Sequence, residues 1–395
     1  MKSRWFANHG ATAGLPQFPV ATDTFLGSGH TGLPFMPMSF LAEIPFGQRL
    51  FGPQPASIIT GTNGPDILIS GAASDSLVGL AGNDTLLGFG GNDTLNGGSG
   101  TDTMVGGAGN DLYLVDSTSD IVVESASAGV DTIRVSTFMY ALPANVENLV
   151  GVAAAYFGQT LIGNDLANVI TGSKQGDWIA GLGGNDTLNG GLGGDVYIVE
   201  TRGDVVFEAF DAGWDVVYTD MQAYTLPINV DEVEGISASG QKFTGNAQDN
   251  YLGGDRGADT LSGGDGRDGL CGFFANDVLT GGAGQDFFQF RVALGPQNID
   301  TITDFNALNE EFDLQRNGTG LFNTLWSTGW LDPAAFKVIG PGGSAEDSND
   351  RIVYNQSTGR LYYDADGSGA GAMVQFAYLS NHAALTEANF WVFDW

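Results

Sequence analysis

Residues 79–114 read GLAGNDTLL, GFGGNDTLN, GGSGTDTMV and GGAGNDLYL, four nine-residue units in unbroken phase. Outward from them the phase runs from Gly61 to Leu114 and sets Asp66, Asp75, Asp84, Asp93, Asp102 and Asp111 nine residues apart. A second array spans Gly163 to Ile198 with Asn168, Asp177, Asp186 and Asp195. A third spans Gly245 to Gln289 with Asn250, Asp259, Asp268, Asp277 and Asp286. Fifteen units in register predict one small backbone module stacked many times, with an acid or amide always at its sixth place.

Each place in the unit has a physical reading. Glycine at the first, second and fourth places permits positive φ and close backbone approach, so half of the unit is a tight turn. The remaining residues read as a short strand, with Leu77, Leu86, Leu95, Met104, Leu188, Leu261 and Leu279 at the eighth place pointing inward. Thr85 and Thr94 flank that position and point out. One such strand buries almost nothing by itself; stacked turns make a continuous core. The expected fold is all-β, a parallel solenoid.

If two units form one flattened coil, acids eighteen residues apart share an edge. Asp66, Asp84 and Asp102 then line one edge, and Asp75, Asp93 and Asp111 the other. Like charges at that spacing repel unless a cation lies between them. Carboxylates and turn carbonyls make an all-oxygen shell, which suits calcium; zinc is disfavoured because the units offer neither His nor Cys. The candidate metal ligands are Asp66, Asp75, Asp84, Asp93, Asp102, Asp111, Asp177, Asp186, Asp195, Asp259, Asp268, Asp277 and Asp286.

The pattern resembles the G-G-x-G-x-D-x-U-x repeat of RTX (hemolysin-type) calcium-binding proteins. That resemblance implies a parallel β-roll holding several calcium ions between same-edge turns. Units such as SGAASDSLV and GFFANDVLT depart from the pattern, and Asn168 and Asn250 lack the charge; these positions are expected to bind weakly or to serve as caps.

Composition agrees. Against 46 acidic residues the chain has 14 basic ones, a net charge of −32, so nucleic acid and anionic membrane are poor partners. Such self-repulsion predicts that folding is coupled to metal binding. The single cysteine, Cys271, excludes an internal disulfide and reads as a small filler.

Two connectors separate the arrays (residues 56–162 hold the first array and connector, 163–244 the second, 245–289 the third array). Asp120-Ile-Val-Val-Glu124 matches Asp204-Val-Val-Phe-Glu208, and Gly129-Val-Asp131 matches Gly213-Trp-Asp215, each at an offset of 84 residues. The connectors read as longer coils of the same solenoid in which the edge carboxylates pause. Asp120, Glu124, Asp131 and their counterparts are possible ion ligands too, with a solvated strand edge as the expected reading.

Residues 290–395 keep strand character and resemble the segment that closes the β-roll in serralysin-like and other type I-secreted proteins. The resemblance implies a β-rich cap and an uncleaved export signal read by the type I machinery. It also implies secretion from a Gram-negative bacterium, to the cell surface or beyond. Trp326, Trp330, Phe336, Phe376, Phe390, Trp391 and Trp395 are the expected cap aromatics, and the turn around Asp364 and Asp366 is expected to be a hairpin.

Residues 1–55 hold seven of the thirteen prolines and seven phenylalanines but only two acids, and read as an extended cap or as an arm for self-association. No stretch of the sequence has the length and apolarity to span a membrane. His9, His30 and His382 are scattered, and neither H-E-x-x-H nor G-x-S-x-G occurs, so no enzymatic activity is expected. The expected role is structural, in a surface layer, matrix or filament. The alternatives are an adhesin or glycan-binding module, or the export module of, or an accessory to, an enzyme acting on polysaccharide or lipid.

Overall fold

The computed structural model describes residues 49–51, 56–152, 157–316, 322–325, 328–369 and 371–394. Nearly all of the 1–55 segment, together with Trp326 and Trp395, lies outside them. The described chain is all-β apart from two single-turn 3-10 helices, Pro333–Ala335 and Glu387–Asn389.

Successive strands alternate between two faces, and each pairs in parallel with the strand one full coil away. On one face Thr85–Gly90 lies beside Ile67–Ile69 and Thr103–Ala108, with Leu86 opposite Leu68 and Met104. On the other, Thr94–Asn96 lies beside Ser76–Val78 and Leu112–Val115, with Leu95 opposite Leu77 and Tyr113. Two nonapeptides therefore make one coil, as the same-edge spacing required.

The eighth-place residues meet between the faces. Leu68, Leu77, Leu86, Leu95, Met104 and Tyr113 are fully buried, and the stack continues through Leu161, Ile170, Ile179, Leu188, Tyr197, Leu252, Leu261, Leu270 and Leu279. Each leucine there contributes about 1.5–3 kcal/mol by leaving water. The turns between strands need left-handed backbone at the second and fourth places, as at Gly98 (φ 81°) and Gly100 (φ 150°). Leu80 (φ 82°), Phe89 (φ 67°), Leu182 (φ 67°) and Phe273 (φ 64°) adopt the same conformation without being glycine.

The connectors are coils of the same solenoid with altered length. From Asp111 to Asp131 the step is 20 residues, and from Asp131 to Glu147 it is 16, where the arrays keep 18. Each connector interrupts one face and leaves the other continuous. In the first, Leu112–Val115, Thr132–Val135, Asn148–Gly151 and Val169–Thr171 stay paired while the opposite sheet ends at Ile121–Val123 and resumes at Met139–Ala141. In the second, the continuous face carries Val196–Val199, Val216–Thr219, Glu232–Gly235 and Tyr251–Asp255. Nine strand steps separate Leu112–Val115 from Val196–Val199, an odd number, so matching connector residues fall on opposite faces and opposite edges.

After the third array the chain leaves the nonapeptide phase but rejoins both sheets. Glu311–Arg316 pairs in parallel with Phe390–Asp394, and Asp300–Ile302 with Val374–Leu379. The segment between them forms the expected hairpin, Arg360–Tyr363 antiparallel to Val374–Leu379. The aromatic core is a file of phenylalanines: Phe312 stacks on Phe305 at 4.5 Å and on Phe390 at 5.0 Å. Phe376 is buried with them, whereas Trp330 is exposed and meets Trp391 edge-on. The C-terminal region thus closes the roll by extending its sheets, with Phe rather than Trp at the centre.

Candidate metal sites

The sixth-place residues form two ladders, one along each edge. The Asp66 backbone N–H donates to Asp84 Oδ1 at 2.7 Å, Asp84 to Asp102 at 2.8 Å, and Asp102 to Asp120 at 3.1 Å. The other edge runs from Asp75 through Asp93 and Asp111 to Asp131 in the same way. In the second array Asp177 and Asp195 share one edge and Asp186 lies on the other. In the third, Asp259 and Asp277 share an edge, as do Asp268 and Asp286. All thirteen aspartates are buried. The cause is local: the turn folds each carboxylate back under the preceding coil, where one oxygen satisfies an amide that no strand partner reaches.

The second oxygen is different. Oδ2 of Asp84, Asp93, Asp102, Asp111, Asp186, Asp195, Asp268, Asp277 and Asp286 is buried with no hydrogen-bond partner. It faces the first-place glycine of its own unit. A Cβ on Gly79 would run into both Asp84 Oδ2 and the Gly97 carbonyl oxygen, and Gly88 and Gly263 repeat the arrangement. Carboxylate and carbonyl oxygens thus converge on a cradle that only glycine leaves open. An uncompensated buried carboxylate is expensive. Burial accordingly raises Asp93 and Asp186 to about 6, Asp268 to about 7 and Asp195 to about 8, with the neighbouring amide pulling down and nearby carboxylates adding to the rise. A hard cation relieves this cost, and the oxygen-only donor set fits calcium.

Amides end the ladders. Asn168 turns its Oδ1 toward the first-place Gly163 and accepts from Asn164 N–H, while its Nδ2, reaching the preceding coil, donates to the carbonyls of Val146 and Glu147 at 3.3 and 3.2 Å. Asn250 donates likewise to Val230. Gln159 and Gln241 do the same on the opposite edges, reaching Val135 and Thr137, and Thr219 and Met221. An amide that binds the preceding coil through its NH₂ and brings no charge to the cradle is a self-contained cap. Gln159 and Gln241 escape a motif search because a glutamine there breaks the pattern; each lies 18 residues before an array aspartate, Asp177 and Asp259.

The connector acids were expected to be solvated, and they are not. Asp120, Glu124, Asp131, Glu208 and Asp215 are all buried. Instead of pausing, the ladders run on into the connectors, because the widened coils still fold their acids beneath the preceding turn. Asp120 ends its row by accepting from Ser117 N–H with its second oxygen, and Asp204 does so from Thr201.

Residues 58–86, 86–113, 162–197, 242–270 and 274–289 match the family model described as RTX calcium-binding nonapeptide repeat (4 copies). The three arrays are therefore RTX repeats, and calcium is their ligand. The match leaves out most of both connectors and everything after residue 289. Comparison of the chain with curated proteins returned no match.

Proposed function

We propose that this chain is a secreted calcium-binding protein whose loaded β-roll is itself the functional body, a structural element at the cell surface or outside the cell. The observation that carries this reading is the extent of the ladders. Buried, unpartnered carboxylates recur from Asp84 to Asp286, so calcium-dependent folding occupies the solenoid. RTX proteins are typically exported by Gram-negative bacteria, and millimolar calcium outside the cell would trigger folding there. The serralysin-like region after residue 290 is the proposed export signal, residues 1–55 the proposed self-association arm, and no catalytic activity is proposed.

Sedimentation velocity of the full chain and of a chain lacking residues 1–55, in chelator and then in millimolar calcium, tests this. Calcium is expected to compact both and to polymerise only the full chain; compact monomers in both cases would remove the assembly role. A glycan- or surface-binding role has its own support. Phe138, Phe157, Phe207 and Phe210 of the connectors are more than half exposed, a place for sugar rings to stack. Retention of the chain on a polysaccharide column, lost on replacing these phenylalanines, is the result that would favour it.

A further inference from the structure

We propose that Asp111, Glu124 and Asp131, and again Asp195, Glu208 and Asp215, form a second class of calcium site, three carboxylates to one ion, at the entrance to each connector. Each trio brings one oxygen per residue within 4.8 Å of the others. An ion with ligand bonds of about 2.3–2.6 Å spans about 4.6–5.2 Å between opposite ligands, so one calcium can touch all three. The array turns differ, since there the cradle is shared between aspartate and backbone carbonyl.

Two replacements in the repeat build the trio. Glu124 stands 18 residues after Gly106, at the first place, where the array has the glycine whose missing Cβ leaves the cradle open. Tyr113 takes the eighth place, where the array has leucine; its hydroxyl accepts from Gly106 N–H at 2.8 Å and donates to Glu124 Oε1. The other end of Glu124 is tied down as well, its backbone carbonyl accepting from Asn145 Nδ2 at 3.0 Å. The carboxylate is thus delivered into the cradle from a fixed backbone and held by a buried phenol.

The remaining oxygens point to a ligand. Oδ2 of Asp111 and of Asp131 is buried without a partner, in residues 2% and 0% exposed. Asp131 Oδ1 is already used by the Asp111 N–H. The ion pairs Arg267–Glu311, Arg316–Asp394 and Lys337–Glu346 all lie away from both trios. Three buried acids with no cation of their own are not a stable arrangement.

The whole construction recurs 84 residues later on the opposite edge. Tyr197 accepts from Gly190 N–H at 2.6 Å and donates to Glu208, Asn229 Nδ2 holds the Glu208 carbonyl at 3.1 Å, and Oδ2 of Asp195 and Asp215 is again unpartnered. Glu124, Asp131, Glu208 and Asp215 all lie outside the segments matched by the repeat model. More carboxylates per ion mean tighter binding, so these two sites fill before the arrays.

The test is calcium binding by the full chain, wild type against the double variant Glu124→Gln/Glu208→Gln, by equilibrium dialysis. Glutamine keeps the shape and an acceptor for the tyrosine. The variant is expected to lose two ions of the tightest class, or to bind them about tenfold or more weakly, while the array ions remain. Equal ion numbers and equal affinities would overturn the proposal. Because the variant can fail for lack of folding, anomalous diffraction from terbium-soaked wild-type crystals is the second measurement. Peaks bounded by each trio support the sites; peaks confined to the array turns overturn them. Neither readout depends on whether the roll assembles, so failure of the structural role is distinguishable.

Discussion

Asp93 shows what the sixth place demands of a side chain: one oxygen for the Asp75 N–H at 2.7 Å, and a second oxygen left in the cradle without a proton donor. Asn can do the first task as well, but it leaves an uncharged NH₂ where the carboxylate would meet the ion. Asp93→Asn and Asp93→Ala should therefore lose the same calcium ions, yet differ in stability when the other sites are loaded. There alanine, which strands the Asp75 amide, should be less stable than asparagine by about 1–3 kcal/mol. Urea midpoints in saturating calcium check this, and equal midpoints would deny the ladder its role. The raised carboxylates also set a pH dependence. Their folded pKa values, about 6 for Asp93, 7 for Asp268 and 8 for Asp195, lie above the ordinary 3.8. Without calcium the folded state therefore holds more protons than the unfolded one, and stability present at acid pH is lost as pH rises through these values. The calcium-free chain should therefore hold more strand structure at pH 5 than at pH 8, read by circular dichroism, since the raised values run from about 6 to about 8. The calcium needed for folding should fall over the same range, because protons no longer compete. A calcium-free strand signal that grows with pH would contradict the first expectation. The array aspartates were legible because nine-residue phase labels them. Glu124 and Gln159 were not, since they matter by standing where the pattern lacks its usual residue, and steps of 20 and 16 residues hide that alignment.

At the scale of the turn, backbone conformation and packing separate two kinds of second-place residue. Phe89 holds φ 67° with its ring 58% exposed, so it carries left-handed strain with little burial in return. Phe89→Gly removes a cost of about 1–2 kcal/mol and adds unfolded-chain entropy of about 0.5–1 kcal/mol. The expected result is a calcium-loaded turn more stable by up to about 1.5 kcal/mol, read from the urea midpoint. Gly107, one coil further on at φ 104°, is the converse: a Cβ there would run into the Phe89 carbonyl oxygen. Gly107→Ala should cost about 1–3 kcal/mol, and a neutral result would show that the turn is looser than its geometry. Strand positions were plain in the sequence, because the eighth-place residue alternates with polar neighbours. The left-handed leucines and phenylalanines were not, since only stacking on the adjacent turn imposes that conformation on them.

Across the whole molecule, the 84-residue offset becomes a mechanical statement. It contains an odd number of strands, so each half turn of the roll is interchangeable with the next so long as the phase of core, cradle and ladder is kept. What could not be foreseen from the sequence is how the roll ends. Residues 300–302 and 311–316 pair with strands some 78 residues away, and no local pattern announces a contact of that range. Interchangeability can be tested by deleting Tyr113–Val196, which joins Leu112 directly to Tyr197 and leaves a strand of matching character, Leu-Tyr-Ile-Val. Gly106 then meets Tyr197 in place of Tyr113, the Asp111 ladder passes to Asp215, and the Glu208 trio substitutes for the Glu124 trio. The shortened chain should still fold cooperatively on adding calcium, with the C-terminal strands intact and fewer ions bound. Deleting five residues less puts the eighth-place side chains out of phase with the core, and that chain should not fold at any calcium concentration. Circular dichroism against calcium distinguishes the two. Equal folding of both deletions would mean that core phase does not govern the roll, whereas failure of both would mean that the two connectors, alike in sequence, are each fitted to their own neighbours.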